Sequence, residues 1–203
     1  MSGAHDLRTR ADAVLELHER GDIEAALARA TELAADAAAA DVDDLVVRES
    51  LFAARFEVAL LLTELGDLTA AAEAYQAAAG TPADLTDPDQ RHEIAMVMLN
   101  RGICLATGGD HAAAVDAYDE VVARFGTADD AVTRDQVARA RVNRAASLLA
   151  ADRASEALAD ADGLAADLDP ADALEAEQLA MARRVKAAAL RAIGRRREGS
   201  ARA

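Results

Sequence analysis

Residues 99–126 read LNRGICLATGGDHAAAVDAYDEVVARFG, and the Gly109-Asp110 pair near the middle organises the stretch. Leu105 stands four residues before that glycine and Gly102 seven before, while Ala114, Tyr118 and Val121 stand five, nine and twelve after. Glycine supplies the positive φ that ends a helix, and the following Asp accepts backbone N–H groups at the start of the next. The stretch therefore predicts a helix, a tight turn and a second helix antiparallel to the first.

The same register recurs along the chain. Gly21-Asp22, Gly66-Asp67, Gly109-Asp110, Asp152-Arg153 and Gly194-Arg195 are spaced by 45, 43, 43 and 42 residues. Four residues before each mark is a leucine: Leu17, Leu62, Leu105, Leu148 and Leu190. Small residues fall where two helices must approach closely, with Val14, Ala59, Gly102, Ala145 and Ala187 seven before, and Ala26, Ala71, Ala114 and Ala157 five after. A repeat of this length makes each helix pair one unit that buries its apolar face only by stacking on neighbours.

Composition agrees. Of 203 residues 56 are Ala and 23 Leu, the two strongest helix formers in this chain, against 13 Val, 4 Ile, 3 Phe, 2 Tyr and no Trp. The expected fold class is all-α, an α-solenoid within a single domain over 1–203. Nine helices are predicted at about 5–20, 22–39, 43–65, 67–79, 87–107, 110–125, 129–151, 153–167 and 170–196, the last a capping helix followed by a basic tail, 195–203. Asp87-Pro88 and Asp169-Pro170 place an N-cap before a proline at the first helical position, and Gly80 and Gly126 close second helices. Asp43-Asp44 and Asp129-Asp130 sit at helix starts, where negative charge favours the helix dipole.

The net charge of −15 repels nucleic-acid backbones and anionic membrane surfaces, so neither is an expected partner. Residues 180–203 differ, carrying +7 through Arg183, Arg184, Lys186, Arg191, Arg195, Arg196, Arg197 and Arg202 against Glu198. Such an end complements the helix dipole, folds back on the acidic body, or meets an acidic partner. A lone Cys104 permits no internal disulfide, and the start of the chain has no apolar run of signal-peptide length. The expected location is the cytoplasm.

The pattern of Leu99, Gly102, Ala106, Gly109-Asp110, Ala114 and Tyr118 resembles the tetratricopeptide repeat (TPR), in particular the longer-period arrays common in bacteria. The resemblance covers nearly the whole chain. Two departures are that the first and fourth units have Ala30 and Ala161 in place of the aromatic, and that the period exceeds the usual 34 residues. The resemblance implies a superhelix whose first helices line a concave groove that holds a peptide or a partner's helix. It assigns to that groove the residues nine before each mark, among them Glu57, Asn100 and Asn143, and the amides of Asn100 and Asn143 would hydrogen-bond a bound backbone. Arg139, one turn before Asn143, matches a carboxylate-clamping position, although Phe56 and Leu60 stand where the full clamp needs a basic residue and an Asn. Phe56, Leu60, Met96, Leu99, Ile103 and Val142 would give the groove apolar walls. The competing reading has the asparagines bridging neighbouring helices and the apolar stripe serving as core.

Enzyme chemistry finds little support. His5, His18, His92 and His111 stand far apart, and neither His18-Glu19 nor His92-Glu93 is followed by a second His at metal-binding spacing. Thr107-Gly108-Gly109-Asp110 is too short for a phosphate loop and lacks its lysine. No catalytic residue, cofactor or metal is expected. The sequence reading is a non-catalytic interaction module with a protein or peptide partner. Its alternatives are a peptide-sensing regulatory module and a helical enzyme with a groove site, and the capping helix is free to pair with a second copy as a homodimer.

Overall fold

The computed structural model describes residues 2–200, and every regular element among them is a helix. In order they are α1 (Ser2–Glu19), α2 (Ile23–Ala39), α3 (Leu45–Glu64), α4 (Leu68–Ala79), α5 (Pro88–Thr107), α6 (His111–Phe125), α7 (Ala131–Ala150), α8 (Ala154–Asp167) and α9 (Ala173–Ser200). The chain divides into two compact units, Met1–Cys104 and Leu105–Ala203. In the first, α2 packs on α1 and α3, and α3 on α4; in the second, α7 packs on α6, α8 and α9, and α8 on α9.

The four internal marks fold into one turn. Gly21, Gly66 and Gly109 have φ of 78°, 79° and 90°, and Asp152, standing where the others have glycine, has φ of 65°. The next residue's N–H reaches back to the leucine carbonyl four before the mark: Asp22 to Leu17 at 3.0 Å, Asp67 to Leu62 at 3.0 Å, Asp110 to Leu105 at 2.9 Å and Arg153 to Leu148 at 2.8 Å. That long bond closes the helix with a left-handed residue, and only a residue that tolerates positive φ completes it. The alanines five after each mark (Ala26, Ala71, Ala114 and Ala157) are fully buried, as are Leu33, Ala78, Val121 and Leu164 twelve after. In unit 1, Val14, Ala26, Ala30 and Leu61 pack as one cluster; in unit 2, Val142, Leu164 and Ala182 form another.

Several local expectations need correction. Gly194 lies inside α9 and makes no turn, and Leu190, 50% exposed, does not repeat the covered role of Leu148. α9 starts at Ala173, because Asp172 rather than Asp169 caps it, accepting from Leu174 N at 2.8 Å and Glu175 N at 3.2 Å. Asp169-Pro170 forms the preceding turn, in which Asp169 accepts from Ala171 N at 2.8 Å. Asp67 and Asp110 cap α4 and α6, whereas Asp22 makes no side-chain cap to α2 and instead pairs with Arg20 at 3.2 Å. Part of the basic end does fold back: Lys186 meets Asp162 at 2.6 Å, and Arg196 pairs with the Asp152 side chain and donates to its carbonyl at 2.8 Å. Arg202 lies outside the described residues.

Candidate functional site

α3 carries an apolar stripe of Leu45, Phe52 and Phe56, seven and four residues apart, a spacing that keeps side chains on one helix face. Only part of that stripe is covered by the core. Phe52 and Phe56 are half-buried, their rings stacked 6.3 Å apart at 8°, and Phe56 leans on Tyr75 at 6.2 Å and 53°. Together with Ile94 and Met96 of α5, and with Ala53, Pro82 and Ala83, they line a cleft of about 520 Å³. A cleft of that size falls within the range that takes a ligand or a few side chains of a partner.

The rim is polar and mostly acidic. Arg48 and Glu49 come from α3, and Asp87, Asp89, Gln90 and Glu93 from the start of α5. Asp87 holds its place as the cap of α5, accepting from Asp89 N at 2.9 Å, and Gln90 fastens the preceding loop by accepting from Asp84 N at 2.9 Å. Burial, followed by the charge of Asp89, raises the Glu93 pKa, and Asp87 and Glu49 push the same way against an opposing contribution from His92.

The residues expected in the groove are distributed unevenly. Phe56 and Met96 line the cleft. Leu99, 1% exposed, and Val142 are core residues, while Leu60 and Ile103 are half-buried. Burial raises the pKa of Tyr75, and the side chains of Thr63 and then Asn100 oppose that rise. Glu57 is buried against α1, where its carboxylate meets His18 Nδ1, while His18 Nε2 lies 3.0 Å from Glu64. These hydrogen bonds, first from Glu64 and then from Glu57, raise the His18 pKa. In the second unit, Arg139 makes a long contact to Gln136 at 3.5 Å, and Asn143 is half-buried on the same helix. Cys104 is buried beside Thr63 at 3.7 Å, and burial raises its pKa, which disfavours the reactive thiolate.

Sequence reasoning missed Phe52 and the acidic rim. The available signal was the α3 stripe itself, which uses two of the five aromatic residues of the chain on adjacent turns.

Two crystal structures of nearly identical TPR-like repeats, from a kinesin light chain candidate of Podosopora anserina, superpose on this chain with TM-scores of 0.65 and 0.64. The fold is that of a TPR-like repeat array. Each match covers 98% of this chain and 92% of the other at 16% sequence identity, so the likeness establishes the TPR-like fold alone. No protein-family model matches the sequence, and no curated protein matches it as a relative. Among the described residues, no helix of this TPR-like chain is long and apolar enough to cross a membrane.

Proposed function

We propose that the protein is a non-catalytic interaction module that docks a peptide or helix of a partner protein in the α3–α5 cleft, within the cytoplasm of a bacterial cell. The observation that carries the reading is the half-buried Phe52–Phe56 stack facing about 520 Å³ of open space in a chain that buries its other aromatic rings. Exposed aromatic surface in a concave site is where binding energy concentrates in protein interfaces. The TPR-like fold supports the same class of function, since helical repeats offer long surfaces for partners. Phe56 and Met96 are the apolar contacts in this proposal. Pairing of two copies through α9 is a further contact that rests on its exposed Leu174, Met181 and Leu190.

The test is affinity capture with the wild-type chain beside Ala53→Trp. Ala53 is exposed on the cleft wall, so an indole there fills the cleft while the core stays intact. A partner held by the wild type and lost by the folded variant is the expected result; a partner held equally by both places the binding surface elsewhere.

A further inference from the structure

We infer that the occupant of the α3–α5 cleft is a cationic segment of another protein, an apolar side chain flanked by arginine or lysine. The inference rests on the proposal that this cleft is the docking site, and adds the chemistry of what docks there. Three observations lead to it.

The first is the apolar anchor site. Tyr75, Tyr118 and Phe125 are at most 3% exposed, whereas Phe52 and Phe56 keep part of their stacked rings open to the cleft beside Met96. An inserted side chain gains contact with both rings, and a cation alongside gains from their negative faces.

The second is the charge of the rim. Glu49, Asp87, Asp89 and Glu93 face a single lining cation, Arg48, among the described residues that line the cleft. Asp87 already accepts a backbone N–H at the helix start. Glu93 experiences the field of Asp89, Asp87 and Glu49, and its raised pKa follows from burial and that repulsion. A partner that brings positive charge relieves the repulsion, and one that brings phosphates or carboxylates adds to it.

The third is the contrast with carboxylates that bridge neighbouring helices elsewhere in the chain. Asp119 and Asp160 hold Arg144, Asp167 meets Arg141 at 2.8 Å, Asp162 meets Lys186 and Asp36 meets Arg10 at 2.8 Å. Basic groups are scarce in this chain, 22 against 37 acidic, and those that pair with carboxylates do so away from the cleft, where Glu49, Asp89 and Glu93 form no ion pair with any described residue. Charges left open beside an apolar cleft complement an incoming partner and fix its register.

The experiment uses the full chain and three synthetic helical peptides with one shared Leu/Phe anchor stripe and flanks of Arg, Gln or Glu, titrated by calorimetry at low and high salt. The Arg-flanked peptide is expected to bind about tenfold or more tighter than the Gln-flanked one at low salt, with the gap shrinking at high salt, and the Glu-flanked peptide to give no heat. Ala53→Trp should abolish binding, and the double variant Glu49→Arg, Glu93→Arg should invert the order of the peptides. Equal binding of the Gln- and Arg-flanked peptides, blocked by Ala53→Trp, would overturn the cationic occupant and leave the docking cleft standing. Arg-peptide binding unchanged in Ala53→Trp would overturn both. Absence of binding by all three peptides would overturn the cationic occupant. Sedimentation of the chain alone supplies the last arm: self-association abolished by Ala53→Trp would assign the cleft to a second copy and overturn the foreign partner.

Discussion

The two units share one repeat register and use it differently. Ten and fourteen residues before the Gly66 mark, α3 has Phe56 and Phe52, both half-buried. At the same offsets before the next mark, still within the first unit, stand Leu99 and Ala95, and in the second unit Val142 and Ala138, all four buried. Large rings at two positions hold a cleft open where small and aliphatic residues close the surface. The polar side differs as well. α7 of the second unit is tied to its neighbours by Arg144, which meets Asp160 through Nε at 2.7 Å and Nη2 at 2.8 Å and also pairs with Asp119. The acidic rim of the first unit is left without such partners. One repeat register thus yields both a closed helix face and an open cleft, and the difference lies in a few side chains rather than in the helices.

The comparison breaks first at the core. Leu164→Ala in the second unit should cost about 2–5 kcal/mol, measured by urea denaturation, because Leu164 is fully buried against Val142 and Ala182. Phe52→Ala, at a half-buried position, should cost about 1 kcal/mol while weakening partner binding; equal stability costs would mean that Phe52 is core. Arg144→Ala should cost about 1–3 kcal/mol, since Asp160, four-fifths covered, loses a bidentate partner. Lysine at 144 should recover only part of it, because an ammonium cannot make the paired contact.

Smaller effects sharpen the account of the repeat turn. Gly109→Ala should cost about 1–2 kcal/mol through positive φ alone, since an added Cβ meets nothing within 4 Å. Asp152→Gly should change stability by no more than about 0.5 kcal/mol, the relief of strain offsetting greater freedom in the unfolded chain and the lost exposed pair with Arg196. The smallest effect concerns pH. His18 has its pKa raised by Glu64 and Glu57, so the clasp between α1 and α3 contributes fully below the ordinary histidine value of 6.5 and is lost as pH rises through the raised value. The melting temperature of the wild type should therefore exceed that of His18→Gln most near pH 6, with the gap closing toward pH 9; a gap that is constant or widens with pH would contradict the clasp.

Much of the fold was legible because its turns are chemically narrow. A positive φ after a leucine carbonyl, a small residue five positions on and an apolar residue twelve on are local demands that leave a periodic trace. Helix starts were less legible where several acids compete: Asp169 and Asp172 both offer cap chemistry, and only the packed chain shows that Asp172 takes the role. The site was legible in part. Phe56 and Met96 lie on the side of the helices that the register assigned to a groove, but so do Leu99 and Val142, which neighbouring helices cover completely. Periodicity reports which face a residue occupies, and the distance to the next helix decides whether that face is open. Glu57 shows the same limit, since its position matched a groove site while His18, thirty-nine residues away, takes its carboxylate.

The most direct test of the central claim places a photo-crosslinking benzoylphenylalanine at Ala53, on the cleft wall, and in a second variant at Ala146, exposed on α7. Illumination in the native cell followed by mass spectrometry should yield a defined partner adduct from position 53 and none of that partner from position 146. The same partner cross-linked only from position 146, or equally from both, would contradict a docking site between α3 and α5.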